Sequence, residues 1–330
     1  MSQVTGAITR ILKWAETTFN TTPGTPVAKL MAVQSFGLKF DEARDADPTL
    51  SGYRGAARAV AGRQNVGGSI VVTPAPESIG SWLRDLIGVP TTTGVGPYTH
   101  TFTPNASGAN ALPAGSGFEV DYSSRITGAG RFLVYNGTRC ASGTFNFPTQ
   151  GVPTLTLEYL GASMDSDNVA TLDASPEVSG HTGWGVKNIA LSFDAGALSI
   201  CLESLSFTIS NDLDDSAFCI ANGAQRHALA EGQFLLTGAL VAFFDTAALM
   251  NKALADTDLA AVITLSRGNG LGSAANESLV FTIPVAVVAP TTPPVDGPKG
   301  LKLSTTFSAH RESGEIGFTA VLKNAIASIL

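Results

Sequence analysis

Apolar residues alternate with Ser and Thr along much of this chain, in short runs bounded by Gly and Pro, which is the period-two pattern of half-buried strands. SFGLKF (35–40), GSIVV (68–72) and SLSFTI (204–209) show it most clearly. Further runs at 97–103, 117–122, 131–134, 140–147 and 153–160, and then at 233–243, 259–266, 278–288, 300–309 and 315–322, predict more strands. Two segments break the period. ESIGSWLRDLIG (77–88) and DTAALMNKALAD (245–256) each open on an acid followed by Ser78 or Thr246, which suits a helix N-terminus. Both then place apolar residues at helical spacing: Ile79, Trp82, Leu83 and Leu86 in the first, Ala247, Leu249, Met250 and Leu254 in the second. One stripe per helix predicts docking on a sheet, with Trp82, Leu83, Leu86, Leu249, Met250 and Leu254 as packing residues.

The two helical segments lie 168 positions apart, and the strands before them keep the same distance. Gln64 and Gln233 are 169 apart, SFGLKF and SLSFTI are 169 apart, and GSIVV matches GALVA (238–242) at 170. A separation held within two residues over more than fifty positions predicts an internal duplication. The resulting division is an N-terminal arm (1–28), a first β-domain (29–164), a polar linker (165–185) and a second β-domain (186–330). Between the first two strands of each copy lies a long polar insertion, 41–65 and 210–232. Loops beyond about 12 to 15 residues in a compact domain are functional or disordered, and a loop present in both copies points to function, most simply contact with another subunit.

Composition narrows the class. At 330 residues, with 35 Gly, 17 Pro and only 14% charged residues, the chain is long enough for two domains of all-β type with antiparallel sheets. No run approaches the roughly 20 apolar residues of a membrane span, and the first thirty residues lack a signal-peptide pattern. The expectation is synthesis in the cytoplasm and no membrane. Cys140, Cys201 and Cys219 have no CxxC spacing and are expected as buried free thiols. A net charge of -7 opposes general nucleic-acid affinity, which needs a concentrated basic surface, but it does not oppose enclosing DNA without gripping it.

No reaction chemistry emerges. His100, His181, His227 and His310 are far apart and lack neighbours at metal-ligand spacing. Asp165-Ser-Asp167-Asn168 begins like a calcium loop but lacks the Gly and the closing Glu. Gly268-Asn-Gly270-Leu-Gly272 is no phosphate loop, and there is no GxSxG elbow. Asn136-Gly-Thr138 and Asn276-Glu-Ser278 match a glycosylation pattern that has no consequence without secretion. The expectation is no enzyme, no metal and no cofactor.

The wording of four segments is more specific. The N-terminal TGAITRILKWAETTFNTTPGTP, the helix GSWLRDLIGVPTTT followed by PYTHTFTP, the strand SLSFTISNDLDD and the late SLVFTIPVAVVAPTTPPVDGPKGL together resemble the major tail tube protein of long-tailed, non-contractile bacteriophages. The resemblance spans nearly the whole chain. It implies a β-sandwich or split-barrel core with one flanking helix per copy, inner strands joined to those of neighbours in an annular sheet, and rings stacked into the conduit for genome delivery. Three copies of a duplicated chain would fill six β-domain positions, the helices covering the sheet from outside. Expected partners are other copies of the chain, the tape measure, tail terminator and distal tail proteins, and phage DNA passing through a neutral or acidic lumen without specific binding. Expected contacts between rings are Arg44, Arg54, Arg58 and Arg63 of the first insertion and Asp212, Asp214, Asp215 and Arg226 of the second. A carbohydrate- or receptor-binding β-module of a virion is the alternative; it calls for clustered exposed aromatics, whereas Trp14, Trp82 and Trp184 are dispersed.

Overall fold

The computed structural model of the chain describes residues 3–49, 52, 54–56, 58–104, 112–178, 180–220, 223–295, 297–311 and 317–329. Strands hold 46% of the chain and helices 8%, and among the described residues the sheets do not close into a barrel. The alternation therefore reads correctly as a mainly β fold. The first half contains β1 (Arg10–Glu16), β2 (Lys29–Leu30), β3 (Ser35–Phe36), β4 (Lys39–Asp45), β5 (Val60–Val72), α1 (Ile79–Ile87), β6 (Thr91–Thr93), β7 (Tyr98–Phe102), β8 (Gly115–Asp121), β9 (Phe132–Pro148), β10 (Thr154–Gly161), β11 (Ser163–Asn168) and β12 (Glu177–Val178). The second contains β13 (Ile189–Phe193), β14 (Leu202–Ser210), β15 (Leu235–Phe243), α2 (Ala248–Leu254), β16 (Leu259–Ser266), β17 (Ser278–Val288), β18 (Lys302–Ala309) and β19 (Thr319–Asn324).

Two long strands organise the layers. The start of β9 pairs with β8 and β11 in a sheet that β1, β2 and β12 extend, while its end pairs with β10, which leads through β5 to β3 and β4. β17 repeats this arrangement: its start pairs with β16 and β19, and Ala286–Val288 pair with β18, which leads to β15 and β14. The predicted strands at 131–134 and 140–147 are thus one strand crossing between two layers.

The pairing also repeats in register. Phe36 faces Ile70 and, 169 and 170 positions on, Leu205 faces Leu240. Leu155 faces Val72 as Leu303 faces Ala242. Val120 faces Leu133 as Ile263 faces Phe281, and Ile11 faces Val120 as Leu191 faces Ile263. β1 holds the place in the first half that β13 holds in the second. The N-terminal segment expected to be an arm therefore contributes a buried strand, because Ile11, Leu12 and Trp14 bring apolar surface that only a sheet interior covers. One stretch has no counterpart: between α1 and β8 the chain makes β6 and β7, and β7 leaves its own half to pair with β19.

The first insertion is largely hairpin. β4 and β5 remain paired out to Asp45 and Val60, which leaves 46–59 as the tip. A two-stranded ribbon exposed on both faces needs no apolar side, so its charged sequence reads as loop.

One apolar cluster runs through both halves. At its centre Phe145 of β9 lies 5.0 Å from Phe207 and 4.8 Å from Phe281, ring centre to ring centre, distances typical of favourable aromatic pairs. Helix α1 is enclosed within the chain on more than its apolar side. Besides Ile79, Trp82, Leu83, Leu86 and Ile87 it buries Gly80, Ser81 and Asp85; its polar side is roofed by β1 and by Ile329, whose methyl would meet a Cβ at Gly80. In α2, Leu249 and Ala253 are buried and Met250 is half-buried, but Leu254, expected in the stripe, is 58% exposed. Position 253 follows 249 by one helical turn, whereas 254 is turned away from that face. Neither predicted cap forms: Ser78 makes no side-chain capping bond, and α2 starts after Ala247.

A buried polar cluster lies beneath α1. Lys13 Nζ, wholly buried, sits 2.9 Å from Asp85 Oδ2 and donates to the Ser81 carbonyl at 2.7 Å. Ser116 Oγ and Tyr159 Oη donate to the same carboxylate at 2.9 and 2.8 Å. Burial lowers the Lys13 pKa while Asp85 works against that shift. At the end of β1, Glu16 is 3% exposed and accepts from the Asn20 and Gly137 amides. Burial pushes its carboxyl up to about 7 despite those amides. The folded chain thus binds this proton more tightly than the unfolded chain, so this contribution to stability is full below pH 4.5 and is lost as pH rises to about 7. Glu16→Gln is expected to flatten that decline, by at most about 3 kcal/mol, in urea unfolding compared at acid and neutral pH.

Candidate assembly surfaces

The end of β9 does more than pair with β10. Its other edge pairs with β14 from Ser142 opposite Ser210 to Pro148 opposite Ser204. Strands β4, β5, β10, β9, β14, β15 and β18 therefore make one ladder across both halves. Alternation decides its two faces: Phe145, Phe147, Leu205, Phe207 and Ile209 point into the core, and α1 packs against this side, where a Cβ at Gly143 would lie 2.5 Å from Leu86. Among the described residues no element covers the opposite face. Thr144, Asn146, Thr156, Ser206, Thr208, Thr237, Ser304 and Thr306 lie on it, half-buried or exposed. Thr144 and Thr208 share a hydroxyl hydrogen bond of 2.8 Å across the joint between halves. Glu158 adds an exposed carboxylate, and Lys302 is neutralised by Glu203 at 2.6 Å. Short hydroxyl side chains favour strand geometry and present little net charge.

The insertions behave differently from each other. Arg44 pairs with Glu42 on its own strand at 2.7 Å and is mostly exposed, and Arg54 and Arg58 are exposed near the hairpin tip. Arg63 lies over the Phe218 ring at 4.8 Å. The second insertion folds back on the first half. Arg226, expected at a surface between rings, is 4% exposed. Its guanidinium donates to the Val66 and Gly161 carbonyls at 3.1 and 2.8 Å, to Asn65 Oδ1 at 2.6 Å and to the Asp215 carbonyl at 3.2 Å. Desolvation lowers its pKa; the planar donor set is used to fasten the two halves. Asp214 accepts from the Ser216 amide and hydroxyl, and Asp212 turns the chain with a φ of 45°.

Asn211, not singled out by its sequence context, is 5% exposed and donates to the Leu86 and Cys140 carbonyls at 2.9 and 3.0 Å. Arg139 reaches the Leu229 carbonyl, and its Nη2 lies 3.7 Å from Glu231. The partners of Asn211 and Arg139 lie 71 to 125 positions away, beyond the reach of any local motif. Of the cysteines only Cys140 is buried; Cys201 and Cys219 are exposed, since they sit in irregular segments outside the alternating strands. All three Trp side chains are buried. Among the described residues no cluster of His, Cys, Asp or Glu forms a metal site, and no helix is long and apolar enough to cross a membrane.

Continuous ladders across both halves and a hydroxyl-lined open face are the main features of the described surface. The family model for phage tail tube proteins matches residues 6–309, and the chain belongs to that family. Membership gives it a structural role in a tube assembled from copies of the chain, within the tail of the virion. A search of curated proteins finds no match.

Proposed function

We propose that this chain is the major subunit of a tail tube, that it arose by internal duplication, and that three copies close a ring of six equivalent β positions. The observation that supports this most is the repeated register, with β3–β5, β5–β10, β8–β9 and β1–β8 each matched downstream. Within one chain the two halves already meet edge to edge, and repeating that contact in the same sense gives a closed ring where its rotation is one sixth of a turn. Rings stack through the β4–β5 hairpin, whose tip at 46–59 holds Arg54 and Arg58; the genome passes along the uncovered hydroxyl face. A carbohydrate-binding module would need an exposed aromatic platform, whereas the three Trp are core residues. Negative-stain microscopy with mass measurement of the purified protein tests the reading. Rings or tubes with three chains per ring are expected; six chains per ring, or featureless particles, overturn it.

A wall that conducts DNA must avoid holding it. Each phosphate neutralised by a lysine releases counterions and strengthens binding, with a salt slope of about -0.9 per contact. Placing lysine at Thr156, Thr237 and Ser304 is expected to make assembled tubes retain double-stranded DNA at low salt, with retention falling steeply as salt rises. Variant tubes that bind DNA no better than the parent would show that this face is not the bore.

A further inference from the structure

We propose that the joint between neighbouring chains copies the β9–β14 joint inside the chain, with the outer edge of β3 and β4 of one copy pairing antiparallel to residues 290–295 of the next. This rests on the ring reading above and adds the segments and their register. Cys140 faces Tyr159 where Val288 faces Phe307, and a bulge after Cys140 puts Ser142 opposite Glu158; with the same bulge in the second half, the positions 142–147 that receive β14 correspond to 290–295. β14 corresponds to Ser35–Asp41, since both pair with their hairpin partners at matched positions. Thr208 faces Thr144 and Leu205 faces Phe147 within the chain; between chains Lys39 then faces Thr292, and Phe36 faces Val295.

Exposure agrees with this assignment. In the internal joint Leu205 is 3% and Phe147 5% exposed. Their equivalents are open: Phe36 is half-buried and Val295 is 76% exposed. Among the described residues, β3 and β4 pair with β5 alone, which leaves their second edge free. A groove of about 470 Å³ on the open face, floored by Ser206, Thr208, Thr237 and Thr306, reaches the other edge at Val287, Ala289 and Pro290. The matching residues of the first half, Arg139 and Ala141, are covered by Leu229, Glu231 and Asn211. The edge at Val287 and Ala289 is thus open where its counterpart at Arg139 and Ala141 is paired with the adjoining half.

The two joints differ in strength. Asn211 donates its amide to the Ala141 carbonyl, which sets the bonded positions of the internal ladder at 143, 145 and 147. Their counterparts are Thr291, Pro293 and Val295, and Pro293 has no amide to donate. Prolines at a sheet edge discourage premature pairing, so the joint between chains gains stability from closure of the whole ring.

Disulfide trapping in the full chain tests this. The pair Lys39→Cys and Thr292→Cys occupies a non-bonded register position, where side chains approach closely enough for a disulfide; Cys201→Ser and Cys219→Ser remove the exposed thiols. Mild oxidation is expected to give a covalently closed three-chain product on denaturing gels, while Lys39→Cys with Thr291→Cys, whose side chains lie on opposite faces, gives little. Rings seen by microscopy without this cross-link, or equal cross-linking at 291, would overturn the register and leave the ring reading intact. Absence of both rings and cross-links would overturn the two together.

Discussion

Asp85→Ala should destabilise the folded chain by about 3 to 5 kcal/mol, the cost of leaving a buried charge without its partner. The Lys13 ammonium is wholly enclosed, with Asp85 at 2.9 Å and the Trp82 ring 4.7 Å from Nζ. Truncation also leaves the Ser116 and Tyr159 hydroxyls without their acceptor, which is part of the same cost and places it toward the upper end of that range where water does not enter. Urea unfolding of the purified variant measures the loss. The double replacement Lys13→Met with Asp85→Leu removes the isolated charge and should recover a large part of the loss, because buried ion pairs exchange for apolar pairs of similar volume at little cost. A loss from Asp85→Ala below about 1 kcal/mol would mean that the pair behaves as a solvated surface contact and does not anchor α1 to β1.

That pair also marks the limit of what the sequence reveals. Strands such as SLSFTI are legible because one face is buried and the other open, so Leu205, Phe207 and Ile209 alternate with residues that stay polar. The apolar positions of α1 are legible for the same reason, and Trp82, Leu83 and Leu86 lie in the core. Its burial on the remaining side is not, because Ser81 and Asp85 look like solvent positions until β1, 68 residues away from Ser81, supplies Lys13. A polar residue satisfied by a distant partner has no local signature. Arg226 misleads in the same way: its neighbours in sequence are polar, and only the fold brings the Val66 and Gly161 carbonyls beneath it. Composition misleads in the opposite direction at β4, where a charged run forms a regular ribbon that has no apolar face to reveal it.

Exchanging residues 46–59 for a two-residue Asn-Gly turn is expected to leave rings intact and abolish long tubes. Asp45 and Val60 already face each other, and a tight turn of this type matches the twist of the flanking strands, so the shortened hairpin keeps the pairing of β4 with β5 and the core below it. What it removes is the exposed tip with Arg54 and Arg58. Guanidinium groups pair with carboxylates in two parallel hydrogen bonds, yet each exposed pair contributes only about 0.2 to 1 kcal/mol. Summed over the hairpins of a ring, the loss is a few kcal/mol per interface. Tube length multiplies it, since every added ring repeats the same contact and a tenfold weaker association corresponds to about 1.4 kcal/mol. Salt weakens exposed pairs, over a screening length of about 8 Å at physiological strength, so the parent tubes should shorten at high salt while the rings, held by buried apolar edges and ladders, persist. Electron microscopy of both proteins across a salt series reads length and ring closure separately. Tubes of normal length from the shortened chain would place the stacking contacts elsewhere, and loss of the rings themselves would assign the hairpin to closure within a ring.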